Sequence, residues 1–148
     1  MSIAYDSFVS AFLDKVKTYE FLKLEEDGRD DIVLGYFRRA LSGFKWVCEY
    51  DFSLYDAETR CFTDEFKEAD IDEIIDIVSE GMIVQWMKPY TYSQENLENV
   101  LNTRDFTTYS PAELLMRVGN AYEKAQKDFT KMMREYSYNH GDLTDLHL

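Results

Sequence analysis

Cysteine, histidine, proline and tryptophan are all scarce in this 148-residue chain, with two of each. Cys48 and Cys61 stand thirteen residues apart with no histidine near them, a spacing that fits no zinc site. A cytosolic setting would keep both reduced, as ordinary core or half-buried residues. His140 and His147 both fall at the C-terminal end. A general base needs a nucleophile and an orienting group around it, and neither histidine has that setting in the sequence. Metal binding by this pair would need neighbouring copies to converge. The expectation is therefore no catalytic residue, no cofactor and no bound metal. Basic residues are also in short supply: 16 Lys and Arg against 29 Asp and Glu, a net charge of −13. Such a chain repels nucleic-acid phosphates and anionic membrane surfaces. Long hydrophobic runs are missing too. The stretch around Gly81–Met87 falls far short of the roughly 20 residues that span a bilayer. The opening MSIAYDSFVSAFLDKVK has no basic region followed by a long apolar one, so no secretory leader is expected.

What is present is a helical pattern. Hydrophobic residues make up 45% and charged residues 30%, an ordinary globular mix, and the length suits one domain with a real core. Phe8, Val9, Phe12, Leu13 and Val16 follow helical spacing and predict a first helix near 5–19. Phe21, Leu22 and Leu24 form an apolar connector. Asp27 to Cys48 reads as a second helix whose apolar side includes Val33, Tyr36, Phe37, Ala40 and Phe44. Residues 50–67 have no clear period and read as a loop, with room for a turn of helix at 63–68. Asp70, with Glu73 three residues on, has the spacing of a capping box and predicts the start of a third helix, which Pro89 stops. Ser93 predicts a short fourth helix through Leu101. Ser110-Pro111-Ala112-Glu113 opens a fifth that runs to about Tyr138, with Gly141 as the breaker. The best strand candidate, Phe106–Tyr109, is too short to carry a sheet. The reading is all-α: a single helical-bundle domain of four to five helices over residues 1–140, with a long C-terminal helix and a short extended tail at 141–148.

Charge and side-chain type are unevenly spread. Residues 1–102 hold 10 basic and 22 acidic residues, whereas residues 103–136 hold 6 and 5. A near-neutral last helix on an acidic body suits side-by-side packing of copies. This makes Arg117, Lys124, Lys127, Lys131 and Arg134 candidate subunit-interface residues. The plain alternative is a set of solvated faces. Eleven tyrosines exceed what a core can satisfy, and Tyr90, Tyr92, Tyr136 and Tyr138 are placed either at an interface or on an amphipathic surface. The acidic run from Asp64 to Glu80 lacks the glycine and alternating Asp/Asn of a calcium loop. Its Asp72, Asp76 and Glu80 recur every four residues and make one solvated or partner-facing side of a helix. Gly35, Gly43, Gly81 and Gly119 fall inside predicted helices, a cost that close helix approach would offset. Leu143, Leu146, His147 and Leu148 give the tail an apolar character; it either packs back on its own domain or docks on another chain.

The order of short motifs carries a resemblance. Phe12-Leu13-Asp14-Lys15 leads into Phe21-Leu22-Lys23-Leu24, then Leu34-Gly35-Tyr36-Phe37-Arg38-Arg39-Ala40, then Trp86-Met87-Lys88-Pro89. Leu101-Asn102-Thr103-Arg104-Asp105-Phe106 and Tyr109-Ser110-Pro111-Ala112 complete the series. Together they resemble the head–tail connector (adaptor, neck) proteins of tailed bacteriophages of Gram-positive hosts. The resemblance implies a structural virion protein, made in the host cytoplasm and placed in the neck. It implies a homo-oligomeric ring, commonly of twelve copies, beneath the portal protein. Long helices would line or brace the DNA channel, and the C-terminal segment would dock on the portal protein, with a tail or further neck protein as the other neighbour. DNA would pass without sequence-specific binding. No membrane partner, cofactor or active-site residue is implied. The alternative is an acidic DNA mimic that inhibits a DNA-binding enzyme, with the 64–80 carboxylates as surrogate phosphates.

Overall fold

The computed structural model describes residues 1–19, 29–91 and 111–141. The elements in chain order are β1 (Ile3–Ala4), α1 (Tyr5–Val16), α2 (Arg29–Phe44), β2 (Tyr55–Asp56), β3 (Cys61–Phe62) and α3 (Glu68–Met87). A 3-10 turn at Lys88–Thr91 and the long α4 (Pro111–His140) follow. The expected helical domain with a long C-terminal helix is what forms. The short helix expected at 93–101, the Phe21–Leu24 connector, the Phe106–Tyr109 strand candidate, the Ser110 cap and the tail fall outside the described residues.

α3 is the centre of the bundle and packs against α1, α2 and α4. Eleven of its twenty residues are buried. In its second half almost every residue is, from Ile77 to Met87, because neighbours cover it on all sides. Trp86, fully buried, meets the edge of Phe12 at 6.2 Å between ring centroids. Phe8 joins Phe37 at 5.1 Å and Phe44 joins Tyr136 at 5.1 Å, so aromatic pairs link α1 to α2 and α2 to α4. Lys15 of α1 reaches across to Asp76 at 2.8 Å and Glu80 at 3.0 Å. Part of the acidic side expected to face solvent or a partner is thus a joint inside the protomer.

Three boundaries differ from the sequence expectation, each for a local reason. α1 stops at Val16, where the chain tightens and the Thr18 hydroxyl donates to the Lys15 carbonyl. α2 stops at Phe44 and not Cys48: the Val47 N–H turns back to the Phe44 carbonyl, and Val47, Cys48, Tyr50 and Phe52 then fold onto the core. α3 begins at Glu68, with Lys67 as its N-cap and no capping side chain. Asp70, expected to cap it, lies inside the first turn and instead accepts a 2.6 Å hydrogen bond from the Tyr50 hydroxyl.

The expected loop at 50–67 contains two strands. β2 and β3 form an antiparallel hairpin with Tyr55 opposite Phe62, and β1 adds to the other side of β3 with Ile3 opposite Phe62. Two-residue strands show no period, so the sequence offers no signal for them. The turn between β2 and β3 ends in Arg60, held at φ 55°. Its carbonyl accepts from the Tyr5 N–H at 2.9 Å and its guanidinium lies 5.2 Å from the Tyr5 ring centre, which fixes this uncommon conformation.

Candidate functional site

α4 presents two faces with different chemistry. Val118, Ala125, Phe129 and Tyr136 are buried against the bundle. Arg117, Lys124, Lys127, Lys131 and Arg134 are all exposed. At 3.6 residues per turn these five cations fall within an arc of about 100°, on the side of the helix away from the packed face. Lys124 pairs with Asp128 at 3.0 Å and Lys131 approaches Glu135 at 3.9 Å along the helix, so the stripe is basic but laced with acids. Exposed pairs of this kind contribute little to folding.

The four tyrosines named from the sequence separate. Tyr138 is 66% exposed and Tyr90 is half-buried against the core. Tyr92 lies outside the described residues, as do Leu143, Leu146, His147 and Leu148. Tyr136 is a correction: it has no exposed surface and is part of the protomer core, so it is not a surface contact between subunits. Its ring packs on Phe44, and its hydroxyl donates to the carboxylate of Glu49 at 2.9 Å. With that proton committed, the Cys48 thiol, 3.6 Å away, is the donor to the tyrosine oxygen. Burial first, then these polar contacts, push the Tyr136 phenol far above its ordinary pKa. Burial also raises the Cys48 thiol, which makes it a poor nucleophile.

One turn beyond Tyr136, His140 completes a cluster that the sequence did not suggest. Its imidazole stacks on the Tyr136 ring at 3.9 Å and 13° between planes. Nδ1 lies 3.4 Å from Glu49, and Nε2 lies 3.3 Å from Glu73 and 3.8 Å from Asp70. The cluster joins the segment after α2, the start of α3 and the end of α4. Donor atoms of Glu49, Asp70 and His140 all lie within 4.8 Å of one another. Asp70 is the most buried carboxylate of the three, with its second oxygen held by Tyr50. Among the described residues no lysine or arginine pairs with these carboxylates; His140 is their one cationic candidate. Desolvation first and the Asp70 hydrogen bond second push the Tyr50 phenol up to about 12.

The sequence separations explain why this was missed. Glu49, Asp70 and His140 are brought together only by the docking of α4 on α3. The Asp70–Glu73 pair was visible, but as a capping signal. Among the described residues no hydroxyl or thiol hydrogen-bonds to His140; its Nε2–H donates to the Glu73 carboxylate at 3.3 Å. No protein-family model, curated protein or solved structure matches the chain.

Proposed function

We propose that this chain is a structural subunit of the head–tail connector type, assembling side by side into a ring in the neck of a phage particle. The observation that carries the reading is the outward basic stripe of α4, Arg117 to Arg134, on a chain of net charge −13. The exposed pairs of Lys124 and Lys131 contribute little to the fold, and the stripe complements the acidic remainder of a neighbouring copy. Trp46, 83% exposed in the turn that follows α2, and Tyr138 add large amphipathic side chains of the kind enriched in interfaces. The motif order described above supplies the link to connectors, and the acidic surface suits a conduit through which DNA slides without sticking. In this reading the segment after Gly141 docks on the portal protein. No helix among the described residues is long and apolar enough to cross a membrane.

The acidic-mimic alternative is less favoured because Lys15 engages Asp76 and Glu80, taking two carboxylates out of the proposed surrogate-phosphate face. Light scattering with negative-stain imaging tests the proposal. A ring of uniform diameter supports it. A compact monomer that competes with DNA for an enzyme replaces it with the mimic.

A further inference from the structure

We infer that the contact between copies in the proposed ring is head-to-tail: the outward stripe of α4 from one copy lies in the cleft between α1, α2 and the β2–β3 hairpin of the next. The inference rests on the ring reading and names the surface that receives the stripe. The cleft holds about 770 Å³, far more than a packing void. Its floor is apolar and half-exposed, made by Val9 and Leu13 of α1, Leu34 and Leu41 of α2, and Phe52. Carboxylates dominate around that floor. Asp6, Asp30 and Asp31 line the cleft, and the hairpin that walls it adds Asp56 and Glu58. Against these five stand two cations, Arg38 and Arg60. Arg60 is engaged within the protomer, 3.7 Å from Asp6 and 5.2 Å from the Tyr5 ring centre.

α4 carries the complement. Met116, Lys127, Lys131, Arg134 and Tyr138 are exposed and, at 3.6 residues per turn, fall within an arc of about 60°. In the contact, the aliphatic stems of the three cations lie on the apolar floor while their heads reach the carboxylates around it. Met116 and Tyr138, 68% and 66% exposed, add side chains of the types enriched in interfaces. Among the described residues none from α4 lines the cleft, so stripe and cleft are separate patches of one chain. Joining them leaves a free cleft at one end of a pair and a free stripe at the other. Copies then add until the rotation closes a ring. The symmetric alternative, stripe against stripe, would oppose cation to cation.

Sedimentation velocity on the full chain tests the contact with two charge reversals. The stripe variant is Lys127→Glu/Lys131→Glu/Arg134→Glu, and the cleft variant is Asp30→Lys/Asp31→Lys/Glu58→Lys. Self-association of each alone should be weaker than that of the wild type by about a hundredfold or more, because like charges then face each other. Mixed in equal amounts the two should assemble again, since the reversed cleft fits the reversed stripe and the native surfaces still match. Circular dichroism and thermal melts check the fold of each. Glu58→Lys alone, in the exposed hairpin turn, leaves every helix unchanged and should weaken association by about tenfold. The contact is overturned, with the ring reading left standing, if the cleft variants assemble as the wild type does, or if the two folded triple variants stay monomeric when mixed. A wild type that is monomeric at every concentration overturns the ring reading and this contact with it.

Discussion

The ring of Phe129 rests on Gly81 so closely that a Cβ there would lie 2.7 Å from its Cζ and 2.8 Å from the Cβ of Ala40. Here α2, α3 and α4 meet, and only a residue without a side chain lets them. Of the four glycines expected to mark close helix approach, this one does so. Gly43 is in ordinary contact with the same ring; among the described residues a Cβ on Gly35 would meet only the flexible end of Arg39, and one on Gly119 would meet nothing within 4 Å. Gly81→Ala should therefore cost about 1–3 kcal/mol through overpacking. Gly119→Ala should stabilise by about 0.5–1 kcal/mol, because it removes backbone entropy from a helix interior with open space around it. Urea denaturation of both variants checks the opposite signs.

Tyr50 sets an alkaline limit on stability. Its phenol is pushed up to about 12, above the unfolded value near 10, because burial and the bond to Asp70 favour the neutral form. A raised folded pKa stabilises fully below pH 10, and that contribution disappears as pH rises through about 12. The melting temperature should fall between those values, and the fall should be shallower in Tyr50→Phe. Spectroscopic titration of tyrosinate against thermal melts over that range is the measurement.

Trp86 is fully buried, and among the described residues its indole N–H has no hydrogen-bond partner. It is held by shape: Phe12 and Tyr19 meet it edge-on. Trp86→Ala should cost about 3–5 kcal/mol. Trp86→Phe should cost distinctly less, because it fills most of the volume and removes an unsatisfied donor. Equal losses in the two variants, measured by chemical denaturation, would show that the polar atom matters more than the packing.

The outward stripe of α4 lets folding be read apart from the proposed assembly. Lys127, Lys131 and Arg134 are exposed, and the pairs along this helix are solvent-facing. Reversing all three to Glu should change stability by less than about 0.5 kcal/mol per site. In the ring reading the same change abolishes self-association, and raising salt weakens it in the wild type. Sedimentation velocity across a salt series, with thermal melts alongside, reads both quantities. Unchanged association in the triple variant would remove α4 from the interface.

The sequence by itself determined the helices, because an amphipathic helix writes its contacts at three- and four-residue spacing along the chain. Phe8, Phe12, Phe37, Phe44, Ile74 and Trp86 could be placed in the core from that period, and the Ser110-Pro111-Ala112-Glu113 boundary signal placed the start of α4 at Pro111. The near-neutral last helix on an acidic body was equally legible as a count of charges. The tertiary structure alone decided what depends on distant residues. Two-residue strands have no period, and their pairing rests on hydrogen bonds between segments up to about sixty residues apart. Asp70 has the right spacing for a cap, yet burial beside Tyr50 gives it another partner. Tyr136 looked like a surface tyrosine in a polar helix, but the bundle closes over it and Glu49 takes its proton. His140 has no partner within its own helix turn except that ring; Glu49, Asp70 and Glu73 reach it only because α4 lies along α3. Local propensity acts over a few residues, whereas the convergence of charged groups is set by how whole helices pack.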